Sequence, residues 1–276
     1  MTAFLKMHGL GNDFAVFDAR ATPLAFGLTE TRAIADRRFG VGCDQLIVIE
    51  KSANGADAFM RIRNADGGEV EACGNAARCV ARLLMEERGT DRVRIDTVGG
   101  PLVCEDAGAG SVTVDMGAPK FGWQEIPLAE PRDSDPFALD VDGKTYEVSA
   151  LSTGNPHCVL FVEDAETAPV ATLGPNIEHH KLFPARTNVE FVSVLGRDRL
   201  RMRVWERGAG ITNACGTGAC ATAVAAHRRG LAGRKVEIVL DGGPLAIEWR
   251  ESDGHMLMTG PTTLSFRGEI DLTAFA

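Results

Sequence analysis

The sequence predicts an α+β fold of two pseudo-symmetric α/β domains, each a mostly antiparallel sheet or barrel wrapped around a central helix. The first observation behind this prediction is a repeated phrase: "EACGNAARCV" begins at Glu71, and "NACGTGACAT" begins at Asn213, 142 positions later. Further repeats follow the same order at an offset of 142 or 143, namely "GNDFAVF" with "GNPHCVLF", "MRIRNADGG" with "MRVWERGAG", and "GGPL" with itself. We therefore expect a duplicated unit, with the functional site in the cleft between its two copies.

The composition excludes several classes of protein. The chain has 276 residues, 45% hydrophobic and 24% charged, which is typical of a globular protein. A net charge of −9 disfavours a general nucleic-acid binder, which would carry a basic stripe, but it allows a local pocket for an anion. We see no signal peptide and no run of about 18 apolar residues. We therefore expect a cytoplasmic protein without nucleic-acid or membrane partners.

Seven cysteines constrain the redox chemistry of the chain. The number is odd, and none of them form a CxxC motif, so we expect reduced thiols rather than a disulfide framework. Spacings of six and five within the two repeated phrases do not suit zinc ligands, and we expect no metal. Five of the cysteines are predicted to be packing residues, namely Cys43, Cys79, Cys104, Cys158 and Cys220.

The elements of the first copy follow from local patterns. Alternating or β-rich runs predict strands at "AFLKMHG", "DFAVFDA", "QLIVIE" and "AFMRIR". An Ala-rich stretch predicts a helix over 74–88 that is stopped by Gly89. The stretch is apolar on several sides, which is typical of a helix enclosed by a sheet.

The second copy has the same order of elements. Strands are predicted at "KTYEVSAL", "HCVLFVE", "VEFVSVL" and "RLRMRVW", and a helix over about 216–229 is stopped by Gly230. A proline-rich stretch from Gly117 to Asp142 marks the boundary. We therefore expect one domain over 1–117 and another over 118–261. A last strand, "TLSFRGEI" within about 262–276, is expected to return to the first domain.

A cysteine precedes each predicted helix, and this position has chemical consequences. The first turn of a helix offers unpaired N–H groups and the positive end of the dipole, which favour a thiolate and can hold a carboxylate. If Cys73 and Cys215 face one bound molecule from opposite sides, one can remove a proton and the other can deliver one. This scheme inverts a carbon centre without pyridoxal or any other cofactor. Packing alone does not explain a repeated Cys-Gly at a helix start.

With these motifs in view, the chain resembles the diaminopimelate epimerases, cofactor-independent two-thiol enzymes related to the proline racemases. The resemblance covers nearly the whole chain, through "GLGNDFAVFD", "GCDQLIVIE", "RNADGGEVEACGNAARC", "GNPHCVLFVED", "RTNVEFVSV", "WERGAG" and "NACGTGACA". It implies an isomerase that interconverts LL- and meso-diaminopimelate, in lysine and peptidoglycan precursor synthesis. It also implies a homodimer.

The resemblance implies roles for individual residues. Cys73 and Cys215 are expected to be the acid–base pair, and His157 and Glu206 are expected to modulate the pKa of a catalytic thiol. The substrate-binding residues are expected to be Asn12, Gln45, Asn64, Gly74, Asn75, Asn155, Asn188, Glu206, Arg207, Gly216 and Thr217. A zwitterionic head group suits this set, because Arg pairs with its carboxylate and Glu with its ammonium.

Plainer interpretations exist for several of these residues. A single histidine is more often structural than catalytic, asparagines often end strands or form turns, and adjacent Glu and Arg are often a solvated pair. The sequence also departs from the family pattern at one place. Ile211 stands where many members have Glu, in "GAGITNACG", which also includes Asn213. We expect this departure to affect loop packing more than activity.

Other functions stay open at this stage. One alternative is a racemase of another amino acid, of the proline or histidine type, although proline as substrate has no second head group for Glu206 and Arg207 to bind. A related fold isomerises with a carboxylate, but it lacks the cysteine pair. A non-catalytic amino-acid binding protein would bind diaminopimelate without exchanging its α-proton. Finally, two facing thiols would be sensitive to oxidation, so we expect activity to depend on reductant.

Overall fold

A computed structural model describes residues 1–275, and its chain divides into two compact units. The first unit comprises Met1–Val114 and the chain from Thr259 onward, and the second comprises Asp115–Met258. The chain therefore leaves the first unit and later returns to it. Both boundaries lie slightly before the expected positions.

Strands of the first unit surround one buried helix. The helices are α1 (Leu28–Ala35) and α2 (Gly74–Arg88), and a 3₁₀ helix covers Leu272–Phe275. The strands are β1 (Thr2–Gly9), β2 (Asn12–Asp18), β3 (Gln45–Glu50), β4 (Ala58–Asn64), β5 (Glu69–Val70), β6 (Arg92–Thr97), β7 (Gly100–Gly108), β8 (Ser111–Asp115) and β18 (Thr263–Ile270).

The second unit has a corresponding set of elements. Its helices are α3 (Val170–Glu178) and α4 (Gly216–Arg228). Its strands are β9 (Phe137–Val141), β10 (Lys144–Ser152), β11 (Pro156–Phe161), β12 (Asn188–Gly196), β13 (Arg199–Glu206), β14 (Gly210–Ile211), β15 (Lys235–Leu240), β16 (Gly243–Trp249) and β17 (Met256–Pro261), the last of which runs through the unit boundary.

Strand pairing in the two units follows one scheme. In the first unit, β1 lies between β18 and β2 and is antiparallel to both, β2 is parallel to β3, and β3 is antiparallel to β4. In the second unit, β10 lies between β9 and β11 in the same way, β11 is parallel to β12, and β12 is antiparallel to β13. Both units then add a parallel pair, β4 with β6 and β13 with β15. The predicted duplicated α+β fold is confirmed.

The register of these pairs shows which residues are equivalent. Phe14 lies opposite Gln45 where β2 meets β3, and His157 lies opposite Asn188 where β11 meets β12. Two residues further along each strand, Val16 faces Ile47 and Val159 faces Glu190. His157 is thus the equivalent of Phe14, and Glu190 is the equivalent of Ile47.

Each Ala-rich helix is enclosed by strands of its own unit. Helix α2 packs against β1, β6 and β7, and α4 packs against β10, β11, β12, β13, β15 and β16. Helix α2 ends where it was predicted to end, with Gly89 in the left-handed conformation at φ 63°. Helix α4 ends at Arg228, one residue before the prediction, and Gly230 follows with φ 70°. Along residues 1–275, no helix is both long enough and apolar enough to span a membrane.

Candidate active site

The first half-site, defined as Asn12, Gln45, Asn64, Cys73, Gly74 and Asn75, is built at the start of α2. Cys73 is the residue before the helix and is extended, with φ −143° and ψ 111°. Its thiol donates to Asn12 Oδ1 at 3.8 Å, and Asn75 Nδ2 donates to the same oxygen at 3.2 Å. Asn12, the first residue of β2, therefore joins a strand to the helix start. Cys73 itself is partly exposed.

Two further predicted residues form a pair on neighbouring strands. Gln45 begins β3 and Asn64 ends β4, and the two are directly opposite in register. Gln45 Nε2 donates to Asn64 Oδ1 at 3.0 Å. Asn64 is exposed, so the pair presents amide groups at the surface of the first unit.

The second half-site, defined as Asn155, His157, Asn188, Glu206, Arg207, Cys215, Gly216 and Thr217, is built at the start of α4. Cys215 also precedes its helix in an extended conformation, with φ −115° and ψ 106°. Gly218 N donates to the sulfur at 3.4 Å, and Thr217 Oγ1 lies 3.5 Å from it. Unlike Cys73, this thiol is buried.

A chain of hydrogen bonds links β11 to the start of α4. Asn155 Nδ2 donates to Thr217 Oγ1 at 3.5 Å, and Asn155 Oδ1 lies 2.8 Å from His157 Nε2. The other ring nitrogen, His157 Nδ1, lies 2.7 Å from Glu190 Oε1. Both His157 and Glu190 are fully buried.

The end of β13 contributes Glu206 and Arg207. Thr212 Oγ1 donates to Glu206 Oε1. Asn188 accepts the backbone N–H of Arg207 on Oδ1 at 2.9 Å and donates to the Pro156 carbonyl at 2.9 Å. Asn188 is buried and fixes the backbone at Arg207, whereas Arg207 is exposed.

Burial changes the chemistry expected of the second thiol. The helix start was expected to favour the thiolate, but burial and the carboxylates of Glu206 and Glu190 raise the pKa of Cys215 well above its ordinary value. The hydrogen bonds from Thr217 and Gly218 lower the pKa and are outweighed. Burial also raises the pKa of Glu206. The environment therefore favours the protonated thiol at Cys215.

The helix starts also provide groups that suit an anion. The amides of the first helical turn point toward the N-terminal end, where Gly74 and Gly216 place no side chain in front of the backbone. Such a helix start suits a carboxylate and the charge that develops on it when an α-proton leaves. Each half-site thus combines one thiol, one helix start that suits an anion, and neutral amides.

Sequence reasoning did not identify three carboxylates that position these groups. Asp44 accepts from Asn12 Nδ2 at 3.0 Å, Glu190 contacts His157, and Glu178 accepts from Gly208 N at 2.9 Å and Trp205 Nε1 at 2.7 Å. Asp44 is next to Gln45 in "GCDQLIVIE", and Glu190 follows Asn188 by two residues in "RTNVEFVSV". Closeness to a predicted site residue was therefore the sequence signal that could have identified both carboxylates. Glu178 lies on α3, far from any motif.

Sequence comparisons identify the family to which the chain belongs. The family model described as diaminopimelate epimerase matches residues 4–122 and 149–265. The diaminopimelate epimerase of Acidiphilium cryptum is 55% identical over 99% of this chain and 98% of its own length. That of Rhodospirillum centenum is 54% identical over 98% of this chain and 92% of its own length.

Structural comparison agrees with the duplicated fold. The crystal structure of a probable proline racemase from Agrobacterium radiobacter K84 superposes with a TM-score of 0.70, covering 99% of this chain and 93% of that one. Its sequence identity is 16%, so this likeness concerns the fold alone. The sequence matches span nearly the whole chain and both half-sites, and the chain therefore belongs to the diaminopimelate epimerase family of isomerases.

Proposed function

We propose that this protein interconverts LL- and meso-2,6-diaminopimelate without pyridoxal phosphate, in the cytoplasm, as a step in lysine and peptidoglycan precursor synthesis. Family membership with relatives at 54–55% identity over nearly the full chain supports this activity. The observation that carries the mechanism is the equivalence of Cys73 and Cys215, each the extended residue directly before a buried helix. A racemase of proline or histidine is not favoured.

In the proposed reaction, one cysteine thiolate removes the α-proton from one face of the substrate carbon. The electron pair of the broken C–H bond spreads onto the adjacent carboxylate, whose charge the two helix starts stabilise. The other cysteine thiol then delivers its proton to the opposite face. The roles exchange for the reverse reaction, so the starting protonation state of the pair selects the isomer that reacts.

The remaining predicted residues are proposed to bind the substrate. Gly74, Asn75, Gly216 and Thr217 would hold the carboxylate at the reacting carbon, and Asn12 would border the first thiol. The distal amino-acid group would bind to Asn64, Asn155, Asn188, Glu206 and Arg207, with Gln45 lining the pocket. The chemistry supports this assignment, because these are the neutral amides and opposite charges that a zwitterion needs. We also propose that the units are the duplicated halves, and that the protein is a homodimer.

Proton NMR of LL-diaminopimelate in D₂O tests the activity. With reduced protein and no added pyridoxal phosphate, we expect loss of the α-proton signal and appearance of the meso isomer. Proline and histidine, offered separately, should keep their α-proton signals. Absence of exchange with diaminopimelate would reject the proposed function, and exchange with proline alone would establish the racemase instead.

Substitution of each thiol tests the mechanism. We expect Cys73→Ala and Cys215→Ala each to lower epimerisation by at least about 10³-fold, the scale of a lost general acid or base. Cys79→Ala is the matched control, because Cys79 is buried in α2, the helix that follows Cys73, and burial raises its pKa to about 12. It should keep most of the activity. Epimerisation at the wild-type rate by either test variant would rule out the two-thiol mechanism.

A further inference from the structure

Glu190 is a buried carboxylate that the proposed mechanism does not yet use. It lies on β12, fully buried, with Oε1 2.7 Å from His157 Nδ1. Its second oxygen, Oε2, is also buried and meets no donor from another residue of the described chain. Burying a carboxylate in this way is costly unless a partner compensates its charge, so the contact with His157 requires an explanation.

Asn155 connects His157 to the start of α4. Thr153 Oγ1 donates to Asn155 Oδ1 at 3.3 Å, and Asn155 Nδ2 donates to Thr217 Oγ1 at 3.5 Å. With the amide in this orientation, its oxygen faces His157 Nε2 at 2.8 Å, and this ring nitrogen is the donor. The opposite ring nitrogen, Nδ1, forms the hydrogen bond with Glu190 Oε1.

Glu190 also lies against the catalytic end of α4. A Cβ atom added at Gly218 would lie 2.8 Å from Glu190 Oε1 and 3.2 Å from Cys215 Sγ, so the two atoms border the same point. The ionisable groups that interact with Glu190 or Cys215 include His157, Glu206 and Cys158, in addition to each other. Both carboxylates oppose ionisation of the Cys215 thiol.

The first unit has apolar side chains at the positions equivalent to His157 and Glu190. The equivalents of His157 and Glu190 by strand register are Phe14 and Ile47, which are buried and apolar. The fold therefore packs well with two hydrocarbon side chains here. Since a buried charged pair often stabilises no more than such a replacement, its presence beside Cys215 favours a functional role.

We propose that Glu190 is a positioning residue of the second half-site, which through His157 holds Asn155 and Thr217 in place and keeps Cys215 as the protonated thiol of the resting enzyme. The proposal rests on the proposed role of Cys215. It makes the two half-sites different in kind. The second starts as the proton donor, and the first has an apolar pair at the equivalent position.

The Glu190→Gln variant tests this proposal. The amide keeps the shape of the side chain and can donate to Nδ1, but it removes the acidic group. We expect kcat to fall about 10- to 100-fold with little change in KM, because without the acidic group Cys215 is less fully protonated and is a weaker proton donor at the start of the reaction. In the Cys73→Ser background, the pH profile of Cys215 alkylation by iodoacetamide, followed by mass spectrometry, should move to lower pH. The basic limb of the kcat/KM profile should move in the same direction.

A matched control is the Asp135→Asn variant. Asp135 is a buried carboxylate of the same unit, paired with Arg228 in the last turn of α4, at the other end of the helix from Cys215. Its removal should leave kcat and the alkylation profile of Cys215 unchanged. A wild-type kcat and alkylation profile in Glu190→Gln would overturn the positioning role, whereas wild-type activity in Cys215→Ala would overturn the proposed mechanism itself.

A second variant keeps the proposal testable if Glu190→Gln does not fold. The double variant His157→Phe with Glu190→Ile copies the pair of the first unit, so we expect it to fold with a melting temperature near that of the wild type. We expect its activity to fall by at least about 100-fold, because Asn155 loses its donor. Full activity in the folded double variant would show that the buried pair is only packing, and would reject the proposal.

Discussion

At Asp13, one partly buried carboxylate meets two cations in the first unit. Arg37 donates to it with both terminal nitrogens, at 2.7 and 3.0 Å, and Lys6 forms a second ion pair. Burial alone would raise the pKa of Asp13, but Arg37 and Lys6 outweigh burial and hold it well below its usual range. The side chains of Asp13 and Lys6 are 16% and 11% exposed, so solvent screens this pair only weakly. Arg37 is 58% exposed, so its pair with Asp13 is screened more strongly. Asp13 adjoins Asn12, which connects the cluster to the first half-site.

We predict that Asp13→Asn lowers the free energy of unfolding by about 2 kcal/mol at pH 7, because Lys6 loses its counter-charge and Arg37 loses one of its two carboxylate partners. A lowered native pKa stabilises the fold above the unfolded value of about 3.9, and this contribution is lost as the pH falls further. The difference between the two proteins in urea unfolding should therefore shrink below about pH 4. An equal difference at pH 7 and pH 2.5 would contradict this assignment.

At the scale of elements, α4 shows how closely a helix start can approach the strands around it. Gly218 lies in the first turn of α4, where an added Cβ would come within 2.8 Å of Glu190 Oε1. The equivalent residue of α2 is Ala76, which is fully buried. Helix α4 therefore has no side chain at Gly218, where α2 has the methyl group of Ala76. This space accommodates Glu190 and the sulfur of Cys215.

We predict that Gly218→Ala lowers kcat about 10-fold or more, because the new methyl group displaces Glu190 or the thiol. Its stability should change little, since the higher helix propensity of Ala, about 1 kcal/mol, offsets part of the strain. Ala223→Gly, in the buried middle of the same helix, is the matched control and should show the opposite pattern, with lower stability and wild-type kcat. Steady-state kinetics and thermal unfolding of both variants measure this. Wild-type kcat in Gly218→Ala would show that the contact is not needed.

At the scale of the whole molecule, the two copies of the duplicated unit have different electrostatic environments at equivalent positions. The strand pairings match from copy to copy, while the residues at equivalent positions differ. Phe14 corresponds to His157 and Ile47 to Glu190. The fold can absorb these changes because the backbone hydrogen bonds of the strands do not depend on the side chains. An asymmetric substrate needs such differences, since its two ends must be told apart.

We predict that the protein loses activity in air and that dithiothreitol restores it, because the proposed mechanism brings both thiols to one substrate carbon, where oxidation can join them in a disulfide. Intact mass spectrometry should show the loss of about two hydrogen masses, and peptide mapping should place the link between Cys73 and Cys215. The Cys73→Ser variant should not form this link. Full activity after prolonged air oxidation, with no thiol lost, would contradict the prediction.

Local elements were predictable because their signals are local. The run "QLIVIE" coincides with β3, "TLSFRGEI" with β18, and the helix over 74–88 with α2. Each is specified by apolar periodicity together with a stop signal such as the left-handed Gly89. The end of α4 differed by one residue because Arg229, whose N–H still donates to the Ala225 carbonyl, has ψ 0°, which is outside the helical range. Such end effects depend on single dihedral angles.

Four features could be predicted from the sequence alone, namely the duplication, the order of elements in each copy, the two cysteines at helix starts and the family. Periodicity, repeats and motifs indicate these features, and all three can be recognised without knowledge of tertiary contacts. Three features became visible only in the folded chain, namely the protonation preference of Cys215, the hydrogen bond between His157 and Glu190, and the support of Asn12 by Asp44. The physical reason is that burial and hydrogen-bond geometry set the free energy of a charge. Both arise from strands and helices that are distant in sequence and meet only when the chain folds.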